Sequence, residues 1–384
     1  YCEHLDLHSF PTRRSSDLQE IKRCTRCILP ETYPGIKFNS DGVCNVCMDY
    51  DRTWKTWNEA GYIKSKIILE QIVKNAKELK RKYDCIVPFS GGKDSTYVLY
   101  ICRKVFNMKV LAVNFDNGFQ TNEAFQNIKN AVELLDTDLV IYKPAWLIMK
   151  NLISCFLLNT GEGCTPCNAG IGSIVYKIAK QERIPLIING CSPRSDERSH
   201  REIYFPDKDY FLNVVTKNGL LNEVKESLYS EQIDLYKFIS RVSRRITRLS
   251  LTDASIFKFL PKKYLVWNTL QISLPDYMKW NENEIYSVLI KELNWKESYV
   301  GKEHTDCHFN PVKCYLRFEK WGFGSKTQKL SALVRDGQMA REEALHLIKD
   351  EGKIPANINS ILERLDLTPD KLEHIKNQHH IGYL

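Results

Sequence analysis

The 384-residue chain is 43% hydrophobic and 27% charged, a balance that supports a full buried core and more than one domain and excludes a disordered polymer. Its formal net charge of +8 is moderate and suits an anionic ligand without demanding nucleic acid. Thirteen cysteines over this length are too sparse for a disulfide scaffold, and six of them fall in C-x-x-C pairs suited to metal, which points to a reducing compartment and a cytoplasmic protein.

In chain order, residues 1–18 have neither the apolar core of a signal peptide nor a helical period, and the string FPTRRSSDL reads like a translated sequencing adapter. They are expected to be non-native and carry no functional weight. Residues 19–60 form the next unit. Cys24-x-x-Cys27 and Cys44-x-x-Cys47 are separated by sixteen residues, with Pro30, Pro34, Gly35 and Gly42 supplying turns. Two such pairs place four thiolates around a tetrahedral ion, so a structural zinc ribbon with all four positions closed to chemistry is expected.

Residues 61–216 alternate strand and helix patterns. Apolar spacing predicts a helix over 66–82, then strands over 85–89, 109–115, 138–142 and 185–189, with helices near 94–106, 122–135, 146–158 and 169–182 between them. The run from Trp146 to Leu158 is broken by Lys150, Asn151 and Ser154, which makes it a buried helix; no run approaches the roughly 18 apolar residues of a membrane span. This alternation predicts an α/β fold, a doubly wound parallel sheet whose ligands bind beyond the carboxyl ends of the strands. Residues 217–270 lack the alternation and carry Arg241, Arg244, Arg245, Arg248, Lys258, Lys262 and Lys263, a basic helical insertion that is either a solvated face or a docking surface for an anionic partner. Residues 271–384 hold the end of the α/β domain, an amphipathic stretch from Asn283 to Leu293 and a helical C-terminal region.

The chemistry concentrates in Ser90-Gly91-Gly92-Lys93-Asp94-Ser95, directly after the first strand. Two glycines let a phosphate approach backbone N–H groups, the serines add hydroxyls, Lys93 adds a point charge, and the helix that follows presents its positive end. The adjacent glycines exclude a G-x-x-x-x-G-K-[ST] loop. Two other strand ends share this crevice: Asn114-Phe115-Asp116-Asn117-Gly118 and Asn189-Gly190 through Asp196. Asp116 and Asp196 are either ligand contacts or turn-forming residues.

Gly163-Cys164-Thr165-Pro166-Cys167 lies in the connection to the fourth strand. Two thiols do not complete a metal site, so Cys191 or Cys307 is the third ligand if metal binds; the open readings are a [4Fe-4S] cluster with one free iron position, a second zinc, a redox disulfide, and packing alone.

SGGKDS resembles the PP-loop of the N-type ATP pyrophosphatases, whose fold is adenine nucleotide alpha hydrolase-like. Together with CTRC…CNVC and NFDNGF it resembles the N-acetyl sugar amidotransferases of surface-polysaccharide biosynthesis, over residues 20 to 200 and more loosely through DYMKWNENEIYSVL and SALVRDGQMAREEAL. The resemblance implies an enzyme that uses ATP and Mg2+ to adenylate an amide oxygen of a sugar nucleotide, with ammonia displacing AMP. It implies Lys93, Asp94 and Asp196 as catalytic residues, Asp196 near magnesium, and Ser90, Gly91, Gly92, Lys93, Asp94, Ser95, Asp116 and Gly190 as nucleotide contacts. The chain has no G-x-C-x-G nucleophile turn, so a separate glutaminase subunit is the expected source of ammonia. The Cys164–Cys167 pair departs from that pattern and supports an alternative, an iron–sulfur-dependent PP-loop sulfurtransferase acting on tRNA or a small acceptor.

Overall fold

The structure, a computed structural model, describes residues 21–54, 59–192, 210–226, 269–300 and 306–377. Residues 1–18, the basic cluster from Arg241 to Lys263 and Asp196 lie outside them.

Five strands form one parallel sheet: β1 (Cys85–Pro88), β2 (Val110–Phe115), β3 (Asp138–Tyr142), β4 (Leu186–Asn189) and β5 (Leu270–Ser273), in the order β3-β2-β1-β4-β5. Apolar side chains on both faces of β1, β2 and β4 explain their central places, because each is buried from two sides. β3, with Asp138 and Ile141 exposed and no residue fully buried, takes one edge.

Ile86, Leu111, Val113 and Ile187 point into a core shared with α5 (Trp146–Thr160) and α6 (Thr165–Gln181). Their strand neighbours Cys85, Val87, Ala112 and Ile188 point into the opposite core with α2 (Glu59–Glu78), α3 (Lys93–Tyr100) and α4 (Asn122–Leu134). Helices therefore cover both faces, as the alternating pattern predicts. α3 continues into a π turn over Ile101–Val105, closed by the Phe106 N–H on Ile101 O at 3.0 Å.

β5 is an addition to the strands expected from the sequence, the last of which was 185–189. Leu270 and Ile272 face the core while Gln271 is exposed, and two apolar residues in four are too short a signal to stand out. Two helices, α7 (Tyr210–Lys217) and α8 (Leu221–Glu226), precede it. After β5, α9 (Glu282–Leu293) starts one residue before the expected Asn283, capped by Asn281, whose Oδ1 accepts the Glu284 N–H at 3.1 Å.

The C-terminal region is helical: α10 (Asn310–Trp321), α11 (Ser325–Arg335), α12 (Arg341–Leu347), α13 (Ile358–Arg364) and α14 (Pro369–Asn377). It is no loose appendage. Ile358, Ile361, Leu362, Leu372 and Ile375 enter the core beside α5, and Arg317 of α10 is wholly buried in a two-pronged pair with Glu162, at 2.9 and 3.2 Å.

The N-terminal ribbon, with α1 (Asn45–Trp54) at its end, packs on the same helices. Ile28 sits with Leu330, Leu333 and Ala344, and the four cysteines with Trp321 and Phe323. No helix among the described residues is long and apolar enough to cross a membrane.

Candidate functional site

Strand order reverses between β1 and β4, because the chain winds outward through β2 and β3 and then returns to the other side of β1. A parallel sheet opens a crevice at such a point, beyond the carboxyl ends of the strands. Ser90–Ser95 and Gly190 both lie there.

The loop is shaped by its glycines. Gly91 holds φ at +80°, and a Cβ on it would stand 2.5 Å from the Ala124 carbonyl oxygen of α4. Gly190 lets β4 approach the first turn of α3, since a Cβ there would lie 3.1 Å from Asp94 Cβ. Hydroxyls tie the turn together: Ser95 Oγ donates to Gly92 O at 3.1 Å and accepts the Ser90 N–H at 3.3 Å, while Thr96 Oγ1 donates to Gly92 O at 2.8 Å. From outside, Trp295 Nε1 holds Gly91 O at 3.0 Å and Gln120 Nε2 holds Ser90 O at 3.2 Å. No side chain caps α3 at Gly92, which leaves its first turn to present N–H groups and the positive end of the dipole to an anion. The loop thus fits a phosphate group.

Lys93 differs from the sequence expectation of a point charge facing the ligand. It is 5% exposed, and its Nζ donates to Asp94 Oδ1 at 2.8 Å and Glu282 Oε1 at 3.0 Å. Lys329 of α11 meets the same Glu282 oxygen at 2.9 Å, and Trp280 Nε1 donates to Asp94 Oδ1 at 2.9 Å. Burial works against the Lys93 charge, but Asp94 and Glu282 outweigh it and raise its pKa above the ordinary lysine value. Burial likewise pushes the Glu282 carboxyl up; Lys93 and Lys329 more than offset it and hold it below the usual carboxylate range. Lys93 and Glu282 are therefore both ionised near neutral pH.

Glu282, Lys329, Trp280, Trp295 and Gln120 were missed in the sequence. The only local signal was the N-x-x-E capping pattern at Asn281, which marks the helix that carries Glu282.

At the end of β2, Asp116 is 5% exposed, accepts the Gly118 N–H at 2.9 Å through Oδ1 and pairs with Lys143 at 3.1 Å through Oδ2. The turn-forming reading of Asp116 is thus realised, in a position that still rims the crevice. Asn117 reaches the second cysteine cluster: its Nδ2 lies 3.4 Å from Cys167 Sγ and 3.9 Å from Cys307 Sγ. A bridge between Gln120 and Cys307, with the His308 N–H on Phe119 O at 2.7 Å, fastens the Cys307 segment beside the β2 loop.

Cys307 thus shares Asn117 with Cys167, whereas Cys191 is exposed. Burial raises the thiols of Cys164, Cys167 and Cys307, Cys167 to about 12 and Cys307 to about 11, so all three are protonated at neutral pH in the absence of a cation. These three do not have the tight mutual spacing found in the ribbon.

The ribbon has it. Sγ atoms of Cys24, Cys27, Cys44 and Cys47, all buried, lie within 4.8 Å of one another, the one such group of three or more metal-ligating side chains among the described residues. The knuckle is formed by backbone N–H groups turned onto sulfur, Cys44 N on Cys24 Sγ at 3.2 Å and Cys47 N on Cys44 Sγ at 3.4 Å. Arg341 of α12 braces it from behind, donating to Cys24 O and Cys27 O at 3.0 Å each. Four thiols so placed fit a metal ion with no open position.

Residues 297–384 match the family described as "LPS biosynthesis protein WbpG-like, C-terminal domain". Across 340 residues, 84% of this chain and 99% of the relative, the sequence is 24% identical to an uncharacterised protein of Methanocaldococcus jannaschii. The family match falls on α10 to α14 and on the stretch holding Cys307, Lys329 and Arg341. The segment similar to a lipopolysaccharide-biosynthesis domain is thus the one that brings Lys329 to the glycine-loop cluster and Arg341 to the ribbon.

Proposed function

We propose that the chain is an ATP-dependent amidotransferase of surface-polysaccharide biosynthesis, releasing AMP and pyrophosphate. The observation that carries this reading is the uncapped Ser90–Ser95 loop at the strand-order reversal, packed beneath a segment similar to a lipopolysaccharide-biosynthesis domain.

The amide oxygen of an N-acyl sugar nucleotide attacks the α-phosphorus of ATP, and pyrophosphate leaves. Ammonia, delivered by a separate glutaminase subunit, then adds to the activated carbon; AMP leaves and an amidine remains. Such chemistry asks the protein for positioning and charge neutralisation rather than a nucleophile. Amides of Gly91 and Gly92 and the first turn of α3 hold the leaving pyrophosphate, with Lys93 beside them. Magnesium, when bound, neutralises phosphate charge, with Asp94 and Asp196 as its candidate ligands. Zinc is the ion that four thiolates in C-x-x-C pairs suit, and its role here is structural.

Incubation with labelled ATP, ammonium and a panel of N-acetylated sugar nucleotides tests the reading. AMP formation that requires both ammonium and the sugar is expected, and release of ADP overturns it.

One observation favours a second reading, sulfur transfer: Cys167 and Cys307 converge on Asn117 beside the same crevice. Iron and zinc analysis after anaerobic purification separates the two. Iron at one cluster per chain, lost with Cys164→Ala together with activity, supports sulfur transfer; ammonia-dependent turnover that survives this substitution refutes it.

A further inference from the structure

Two lysines share one carboxylate oxygen next to the glycine loop. Lys93 Nζ lies 3.0 Å, and Lys329 Nζ 2.9 Å, from Glu282 Oε1. Both ammonium groups are largely buried, with side-chain exposures of 4% and 9%, and Glu282 is 23% exposed. With Asp94, the cluster brings two lysines and two carboxylates together.

A polyphosphate in the loop competes with these carboxylates for Lys93. If Glu282 had Lys93 as its single partner, drawing the lysine toward phosphate would leave a partly buried carboxylate unpaired, at a cost that opposes the exchange. Lys329 removes that cost. It reaches Glu282 from α11, a different element from the loop, and its own position is fixed by Leu330 and Leu333 packing on Ile28 and Ala344. Glu282 can therefore release Lys93 and remain neutralised.

We propose that Lys329 and Glu282 are positioning residues of the nucleotide site: Glu282 holds Lys93 ready in the empty loop, and Lys329 takes over the carboxylate when Lys93 turns to a bound polyphosphate. This inference rests on the reading of the loop as a phosphate site, and it assigns the C-terminal segment a part in binding ATP. No bond is made or broken; ion pairs exchange.

The arrangement has an unusual consequence for mutagenesis. Removing Lys329 tightens the hold of Glu282 on Lys93 and weakens polyphosphate binding, although Lys329 makes no contact with the ligand. Removing Glu282 as well restores it, because Lys93 is then held by Asp94 and by the face of the Tyr286 ring, 5.8 Å from its Nζ, without the second carboxylate. A merely structural role for Lys329 predicts the reverse, with the double variant no better than the single one.

The experiment measures equilibrium binding of Mg-ATP and of inorganic pyrophosphate to the full chain and to Lys329→Met, Lys329→Arg, Glu282→Gln and the double variant Glu282→Gln/Lys329→Met, with thermal melting to verify the fold. Lys329→Met is expected to weaken binding about tenfold or more, Lys329→Arg less than about threefold, and the double variant to return within about threefold of the parent. Equal binding by Lys329→Met and the parent overturns the inference, as does a double variant as weak as Lys329→Met. The outcome for the overall reading is separate: pyrophosphate binding with the expected ranking but ADP as the product sinks amidotransfer and leaves the ion-pair exchange standing. A parent chain that binds neither ligand refutes both.

Discussion

Single residues decide the shape of the phosphate loop, and Gly91 is the most demanding of them. Its φ of +80° is costly for any residue with a Cβ, and the space a Cβ would take is already filled by a backbone carbonyl 2.5 Å away. Backbone cannot yield as a flexible side chain can, so either α4 or the loop must shift. Gly91→Ala is expected to destabilise the fold by about 1–3 kcal/mol and to abolish ATP-dependent turnover, the second effect far outrunning the first. Urea titration paired with AMP formation checks this, and an alanine variant with parental turnover would show that the loop conformation is not needed. Gly91 and Gly92 were legible in the sequence because they stand within all six residues of Ser90–Ser95 at the end of an apolar strand; two glycines alone would read as an ordinary turn. The Lys93 partners were not: Glu282 and Lys329 lie far along the chain, and a pairing made only by the tertiary fold leaves no spacing to read.

Elements were legible to the extent that their burial is uniform. β1, β2 and β4 are apolar except for Asn114 and Asn189 near the strand ends and are bounded by turns, so their ends are found within a residue or so. α5 was recognisable as a helix packed on the sheet because Lys150, Asn151 and Ser154 interrupt its apolar run. What the sequence hid was how elements join, and the joint between α10 and the segment before α6 shows why. Arg317 and Glu162 are 0% and 1% exposed and pair at 2.9 Å, with Arg317 Nη1 also donating to Ser325 Oγ at 3.2 Å and Gln328 Oε1 at 2.5 Å. Neither residue stands out in a sequence rich in both types. Because no water reaches the pair, Glu162→Ala strands a guanidinium in the interior and is expected to cost about 3–5 kcal/mol. Replacing both partners with neutral groups, as in Glu162→Gln/Arg317→Met, is expected to recover most of that loss. Chemical denaturation of the two variants decides it: a double variant as unstable as the single one would mean that the pair itself, rather than the stranded charge, holds the joint.

At the scale of the whole molecule, the ribbon and the C-terminal helices are one unit built from opposite ends of the chain. Ile28 is buried between the two C-x-x-C pairs' first knuckle and α11, Arg341 clasps the carbonyls of Cys24 and Cys27, and Thr32 Oγ1 donates to Trp321 O. The metal's influence should therefore extend well beyond the four thiols. Without an ion, ionised thiolates at this spacing repel one another, and protonated ones surrender the coordination that closes the knuckle. Once the knuckle opens, Ile28 leaves its cluster and α11 loses one of the surfaces that position Lys329. The prediction is that chelation at neutral pH lowers the melting temperature and removes hydrogen-exchange protection from 330–334 as well as from 24–47, while 85–88 and 110–113 in the sheet stay protected. Pyrophosphate binding should weaken in parallel, because the lysine that relieves Glu282 has lost its anchor. A ribbon acting as an independent tether predicts a different result, with protection lost at 24–47 alone and α11 untouched, and that pattern in the exchange map would disprove the coupling between the metal site and the glycine loop.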